Sequence, residues 1–174
     1  MPNRILILTG DGKGKTTSAF GMALRALGRG MGVGIVQFIK HEGAGGEVAA
    51  LRRFPEAEVL CSGLGFTPKR ADSPQWARHA SAALAGWETA ERFLADPGKK
   101  TIVLDEIFYP IHFGLLSEDA VARALRALPD GKIVILTGRR APEKLLALAD
   151  TVSRIECARH ALQQGVAAQE GFEF

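Results

Sequence analysis

At 174 residues and 18.6 kDa the chain has the length of one ordinary domain, so a single compact domain over residues 1–174 is expected. A composition of 47% hydrophobic and 24% charged residues excludes a disordered chain, and with no apolar run near bilayer length it also excludes a helical membrane protein. Lys and Arg number 22 against 19 acids, a formal charge of +3 scattered without blocks, which suits small anionic ligands as well as nucleic acid. The opening Met1-Pro2-Asn3-Arg4 enters a strand without a signal-peptide core, and Cys61 and Cys157 form no C-x-x-C pair. A soluble protein of the reducing cytoplasm is the expectation.

Arg4 to Thr9 is a nearly continuous apolar run and predicts a strand; a glycine-rich turn follows, then a helical period from Lys15 to Leu27 that stops at Gly28. Val33 to Phe38 predicts a strand buried on both faces, because Val, Ile and Phe occur without polar alternation. Helical signals return over Glu47 to Phe54 and strand signals over Ala57 to Cys61; Ser62 to Asp72, with Gly63, Gly65, Phe66 and Pro68, reads as a surface loop. Ser73-Pro74 marks the start of a long helix through Leu94, closed by Asp96-Pro97-Gly98, with an apolar stripe of Trp76, Ala80, Leu84, Trp87 and Leu94. Thr101 to Leu104 is a strand running into Asp105-Glu106. Ser117 caps a helix whose first turn holds Glu118 and Asp119. Lys132 to Thr137 is a strand, Pro142 to Leu148 a helix, and Thr151 to Ile155 a last strand. Such alternation calls for an α/β fold with a mostly parallel sheet covered by helices on both faces.

One motif dominates. Thr9-Gly10-Asp11-Gly12-Lys13-Gly14-Lys15-Thr16-Thr17 follows a strand and opens a helix, the context a phosphate-binding loop requires. Its glycines let backbone N–H groups face phosphate oxygens, the helix N-terminus adds partial positive charge, Lys15 supplies a point charge and the Thr16 hydroxyl suits magnesium. The strict pattern begins with Gly where this chain has Thr9, so the match is a variant; a plain glycine-rich turn would leave Lys15 at a helix start against the macrodipole. The strand ending in Asp105-Glu106 supplies a carboxylate at the edge where open α/β sheets bind ligands, and one of the two is expected to hold magnesium opposite Thr16. A phosphate-loop NTPase-like, RecA-like domain that binds magnesium triphosphate is therefore predicted.

The residue types leave the chemistry open. No Asn/Thr-Lys-x-Asp base-reading segment is present, which argues against a GTPase, whereas an ATPase using Glu106 with Arg139 or Arg140, a small-molecule kinase, or an ATP-gated carrier or regulatory module without chemistry all fit.

The phosphate loop with Ser18-Ala19-Phe20-Gly21, then Val33-Gly34-Ile35-Val36-Gln37-Phe38-Ile39-Lys40, closely resembles the ATP:corrinoid adenosyltransferases of the phosphate-loop type. Gly65-Phe66-Thr67, Leu104-Asp105-Glu106-Ile107, Thr137-Gly138-Arg139, Ala149-Asp150-Thr151-Val152 and the tail from Arg159 to Phe174 extend the likeness over nearly the whole chain. The resemblance implies transfer of the 5′-deoxyadenosyl group of ATP to the cobalt of a reduced corrinoid, either cobalamin or cobyrinic acid a,c-diamide, with release of triphosphate. It implies that Gly10, Asp11, Gly12, Lys13, Gly14, Lys15, Thr16 and Thr17 contact phosphates, that Thr16 and Glu106 ligate magnesium, and that Arg25 and Arg139 contact the nucleotide. By the same resemblance Lys15, Thr16 and Glu106 are expected to carry the catalytic roles. Phe66, with Pro68 nearby, resembles the aromatic that packs beneath the corrin ring; packing of its own loop is the alternative. Relatives often place Trp two residues after that Phe, where this chain has Pro68, so the expectation is a wedge that is either incomplete or supplied by Phe108, Tyr109 or Phe113. Relatives also often carry an N-terminal extension over the site; here that cover is expected to be absent or to come from a dimer partner or from the tail, which is expected to cross near the site. A homodimer and an electron donor such as a flavoprotein are implied as partners, nucleic acid and membrane are not.

The remaining candidates have plainer readings. Trp76 and Trp87 fit core packing, His41, His79, His112 and His160 lack metal-ligand spacing, and Cys61 and Cys157 fit small buried apolar groups.

Overall fold

The computed structural model describes residues 2–41, 45–65 and 73–172. Six parallel strands form one sheet: β1 Arg4–Thr9, β2 Gly32–Gln37, β3 Ala57–Cys61, β4 Lys99–Asp105, β5 Ile133–Thr137 and β6 Thr151–Arg154, in the order β3-β2-β4-β5-β1-β6. β5 separates the strand that leads into the phosphate loop from the strand that ends in Asp105, the arrangement of RecA-like domains. The helices are α1 Lys15–Leu27, α2 Gly46–Leu51, α3 Trp76–Ala95, α4 Phe108–His112, α5 Glu118–Arg126 and α6 Glu143–Leu146, with a 3₁₀ turn at Ala161–Gln164.

Both sheet faces are buried, which is why the central strands carry continuous Val, Ile and Leu. Leu8, Val33, Ile35, Val103 and Ile135 pack with Ala19, Phe20 and Ala23 of α1 and with Val48 and Leu51 of α2. On the other face Ile7, Val36, Ile102, Leu104, Val134 and Leu136 meet Trp87, Ala90 and Phe93 of α3 and Val121 and Leu125 of α5. Side chains alternate across a strand, so Gln37, Asp105 and Thr137 share the α1 face with Ile35, Val103 and Ile135. Register does the rest: Gln37 pairs with Cys61 on one side and Asp105 on the other, while Leu104 pairs with Leu136 and so puts Asp105 level with Thr137.

The predicted elements are present with shifted ends. Ser117 caps α5 through its side chain, accepting from the Ala120 N–H. At Ser73 the expectation differs, because the chain first makes a turn, with Trp76 N–H donating to the Ser73 carbonyl, and α3 begins at Trp76. The apolar stripe is also displaced. Leu84 is exposed and Trp76 half-buried, while His79, Ala83, Gly86, Trp87, Ala90 and Phe93 face the sheet. Small residues form that seam because the helix lies close: a Cβ on Gly86 would come within 2.4 Å of Ser62 Oγ. Cys61 is buried as expected, with its Sγ donating to Gln37 Oε1 at 3.4 Å, whereas Cys157 is only half-buried. Lys132, read as the first residue of a strand, is a fully buried ammonium whose Nζ donates to the carbonyls of Phe93, Asp96 and Lys99, closing the C-terminal end of α3. Among the described residues no helix is long and apolar enough to cross a membrane.

Candidate active site

The turn between β1 and α1 is shaped by what lies against it. Gly10 has φ +107°, and a Cβ there would sit 2.3 Å from the Ile155 carbonyl oxygen, because the segment after β6 runs directly beside the loop. Ile155 donates its N–H to Thr9 O and accepts from Gly12 N–H, each at 2.8 Å. Gly14, at φ +116°, precedes α1 in a left-handed conformation that a side chain would strain. Among the described residues Gly14 gives α1 no side-chain cap and the first turn holds no acid, so the N-terminal dipole opens onto the loop.

A cleft of about 200 Å³ opens at this point, floored by residues 11–17 and walled by Lys40, Glu47, Glu106, Arg139, His160 and Phe172. Lys13, Lys15, Lys40 and Arg139 bring positive charge, which suits a polyphosphate, while Glu106 faces them with a carboxylate. Lys15 is buried and its Nζ donates to Gly12 O at 2.7 Å; burial pulls its pKa down, and the Glu106 charge opposes that shift. Burial first, then the adjacent Asp105 charge, push the Glu106 carboxyl up. Glu106 itself has φ +56°, a conformation rare for a non-glycine residue, and its N–H is held by Thr137 Oγ1 at 2.9 Å.

Asp105 lies one layer deeper and does not line the cleft. Its Oδ1 accepts from Thr16 Oγ1 at 2.9 Å and from Thr137 Oγ1 at 2.7 Å, and its Oδ2 accepts from Gln37 Nε2 at 2.9 Å. The Asp105 carboxylate thus fixes the Thr16 hydroxyl at the head of α1, and Glu106 is the carboxylate that reaches the cleft. Thr16 and Glu106 offer hard oxygen donors of the kind magnesium takes, with Asp105 orienting Thr16 from behind.

The expected residues divide as follows. Asp11 to Thr17, Glu106 and Arg139 converge on one cleft. Gly10 does not line it and serves the close approach of Ile155, and the Gly12 N–H is spent on the Ile155 carbonyl instead of facing inward. Arg25 is not brought there. It lies near the C-terminal end of α1, ten residues beyond Lys15 or about 15 Å along the helix, beside a separate apolar hollow with Met22, Arg29 and Met31. Phe66 and Pro68 lie outside the described residues. Of the aromatics expected to complete the wedge, Phe108 is fully buried in the core and cannot reach a ligand. Tyr109 and Phe113 are half-buried, 4.7 Å apart at their ring centroids, and Trp76 meets Phe113 edge-on at 6.3 Å.

Sequence reasoning missed Gln37, Thr137, Lys40 and Glu47 as site residues. The first two sit at C-terminal strand ends next to the level of Asp105, a signal that becomes usable only once strand order is known. The tail does reach the site: His160 and Phe172 line the cleft, and the Lys13 ammonium stands 4.9 Å from the centroid of the Phe172 ring.

Strand order, an uncapped α1 behind a glycine loop, and a carboxylate strand end facing it define a phosphate-loop nucleotide-binding domain of the RecA-like class. Residues 2–174 match the family described as ATP:corrinoid adenosyltransferase BtuR/CobO/CobP. The corrinoid adenosyltransferase of Pseudomonas aeruginosa is 43% identical over 171 residues, covering 98% of this chain and 83% of that protein. Corrinoid adenosyltransferase CobA of Salmonella typhimurium is 40% identical and the Escherichia coli K12 corrinoid adenosyltransferase 39%, each over 98% of this chain and 85% of the relative. The chain belongs to the ATP:corrinoid adenosyltransferase family, enzymes that move the adenosyl group of ATP to a corrinoid.

Proposed function

We propose that the cleft grips the triphosphate of ATP as a leaving group and presents the ribose 5′ carbon to the cobalt of a reduced corrinoid, cobalamin or cobyrinic acid a,c-diamide. The Co(I) lone pair forms the bond to C5′, the C5′–O bond breaks, and its electron pair departs on the triphosphate oxygen. The cobalt substrate is itself the nucleophile, so the protein's work is positioning and charge stabilisation. Lys15 and the uncapped N-terminus of α1 hold the departing charge, Arg139 and Lys13 flank it, and Thr16 and Glu106 are the residues that would hold magnesium. Magnesium bound there would neutralise part of the triphosphate charge. Convergence of Lys15, Thr16, Glu106 and Arg139 on one cleft is the observation that carries this reading.

A flavoprotein that reduces Co(II) and a homodimer as working assembly complete the proposal, supported by the family resemblance. Tyr109 and Phe113, half-buried beside Trp76, are the aromatics offered for the corrin face alongside Phe66. Incubation with ATP, magnesium and chemically reduced corrinoid should give the light-sensitive cobalt–carbon spectrum together with triphosphate. ADP or orthophosphate as product, without an organometallic bond, would overturn it in favour of kinase or ATPase chemistry.

A further inference from the structure

Arg139 sits on a turn in which the next residue, Arg140, is held in a conformation it does not favour. Beyond Thr137 the chain passes through Gly138 at φ +148° and Arg140 at φ +53°, the latter a left-handed conformation that non-glycine residues rarely adopt. The helix α4 meets this turn at both of its ends. The Phe108 ring lies under Gly138, where a Cβ would come within 2.8 Å of Phe108 Cδ2. At the other end of α4, His112 Nε2 is 2.8 Å from Arg140 O and 3.3 Å from Arg139 O. Carbonyl oxygens only accept, so Nε2 carries the proton and donates to both. The same helix starts directly behind Asp105, Glu106 and Ile107, and Glu106 is tied back to β5 through Thr137 Oγ1. A closed circuit results: Glu106, α4, His112, the 138–140 turn, Thr137 and Glu106 again. The side chain carried by the pinned turn is Arg139, which lines the cleft with its Nε 3.7 Å from Asp11 Oδ1.

We propose that His112 is a positioning residue for adenosyl transfer: by donating from Nε2 to the carbonyls of Arg139 and Arg140, it holds the 138–140 turn in the conformation that keeps the Arg139 guanidinium on the triphosphate. This rests on the reading of Arg139 as a nucleotide contact. A side chain remote from the reacting atoms acquires a role because one ring N–H determines where a charged group stands.

The test is binding of ATP with magnesium by titration calorimetry, without corrinoid, joined to steady-state turnover. His112→Ala should raise the Kd and KM for ATP about ten-fold, the effect of one lost hydrogen bond and a displaced cation, with a smaller change in kcat. His112→Gln, whose Nε2–H donor has similar reach, should restore the wild-type values; His112→Phe should not. In an Arg139→Ala background, His112→Ala should weaken ATP binding no further. Additive losses in the double variant, or an unchanged Kd in His112→Ala while Arg139→Ala weakens binding, overturn the proposal and leave the Arg139 reading standing. An unchanged Kd in Arg139→Ala overturns the Arg139 reading itself, and the proposal with it.

Discussion

Thr101 and Thr137 are two buried hydroxyls on the same face of the sheet, 2% and 0% exposed, and the same replacement by valine should move stability in opposite directions. Thr137 Oγ1 donates to the Asp105 carboxylate at 2.7 Å and accepts from the Glu106 N–H at 2.9 Å. Thr137→Val removes a charge-assisted hydrogen bond and leaves a backbone donor unpaired, a combined loss of roughly 3 kcal/mol. For a domain of this size that corresponds to a fall of roughly 6–12 °C in Tm. Thr101 Oγ1 has no hydrogen-bond partner among the described residues. Thr101→Val replaces an unsatisfied hydroxyl with a methyl of nearly the same shape, which should stabilise by about 1 kcal/mol, or about 3 °C. The assay is thermal and urea unfolding of wild type and both variants side by side, at neutral pH without ligand. Polar satisfaction alone separates the two sites, since β propensity and side-chain volume change identically. Equal shifts of the same sign would refute the reasoning, and Thr137→Val losing under about 1 kcal/mol would mean that Asp105 is not held by this network.

Lys15→Ala should abolish measurable transfer, with turnover down at least about a hundred-fold and ATP binding weakened in parallel, since a positioned cation facing the leaving charge is removed; transfer at wild-type rate would contradict its assignment. Glu106 carries a proton in the folded state to higher pH than its ordinary value of 4.5, because of burial and then the Asp105 charge. Between the ordinary and the raised value the folded protein binds a proton that the unfolded chain has released, so stability falls as pH rises through that window. Glu106→Gln should flatten this segment of the urea midpoint plotted against pH, while magnesium-dependent ATP binding drops; an unaltered slope would count against the shift. Truncation after Arg159 removes His160 and the Phe172 ring that faces Lys13, and should raise the KM for ATP about two- to five-fold and slow corrinoid turnover. Unchanged turnover would show that the tail only passes by.

Much of the site follows from residues adjacent in sequence. The helix opening at Lys15, the Ser117 cap and the apolar strand ending in Asp105-Glu106 each rest on interactions within about one helical turn or one strand, where local backbone preference already points the same way; the glycine loop is announced by its residues, and Ile155 beside it sets its final shape. The family likeness is legible for the same reason: the phosphate loop alone is generic, and the distinctive stretches, Val36 to Lys40 and the tail from Gly165 to Phe174, are each a contiguous run.

What the chain could not announce is anything carried by strand order, register or helix approach. Gln37 and Thr137 flank Asp105 only because β2 and β5 enclose β4 in that register, a pairing that spans 68 and 32 residues of sequence. Phe108, which looked available for a ligand, is consumed by the core, and Arg25 is carried to the far end of α1 by the helix's own rise. His112 reaches the carbonyls of Arg139 and Arg140 across 27 and 28 residues, a meeting set by how α4 docks beside β5. Local conformational preference acts over a few residues and can be read from their order. Burial of two sheet faces is a collective requirement, and only when it is met does it settle which polar groups become neighbours.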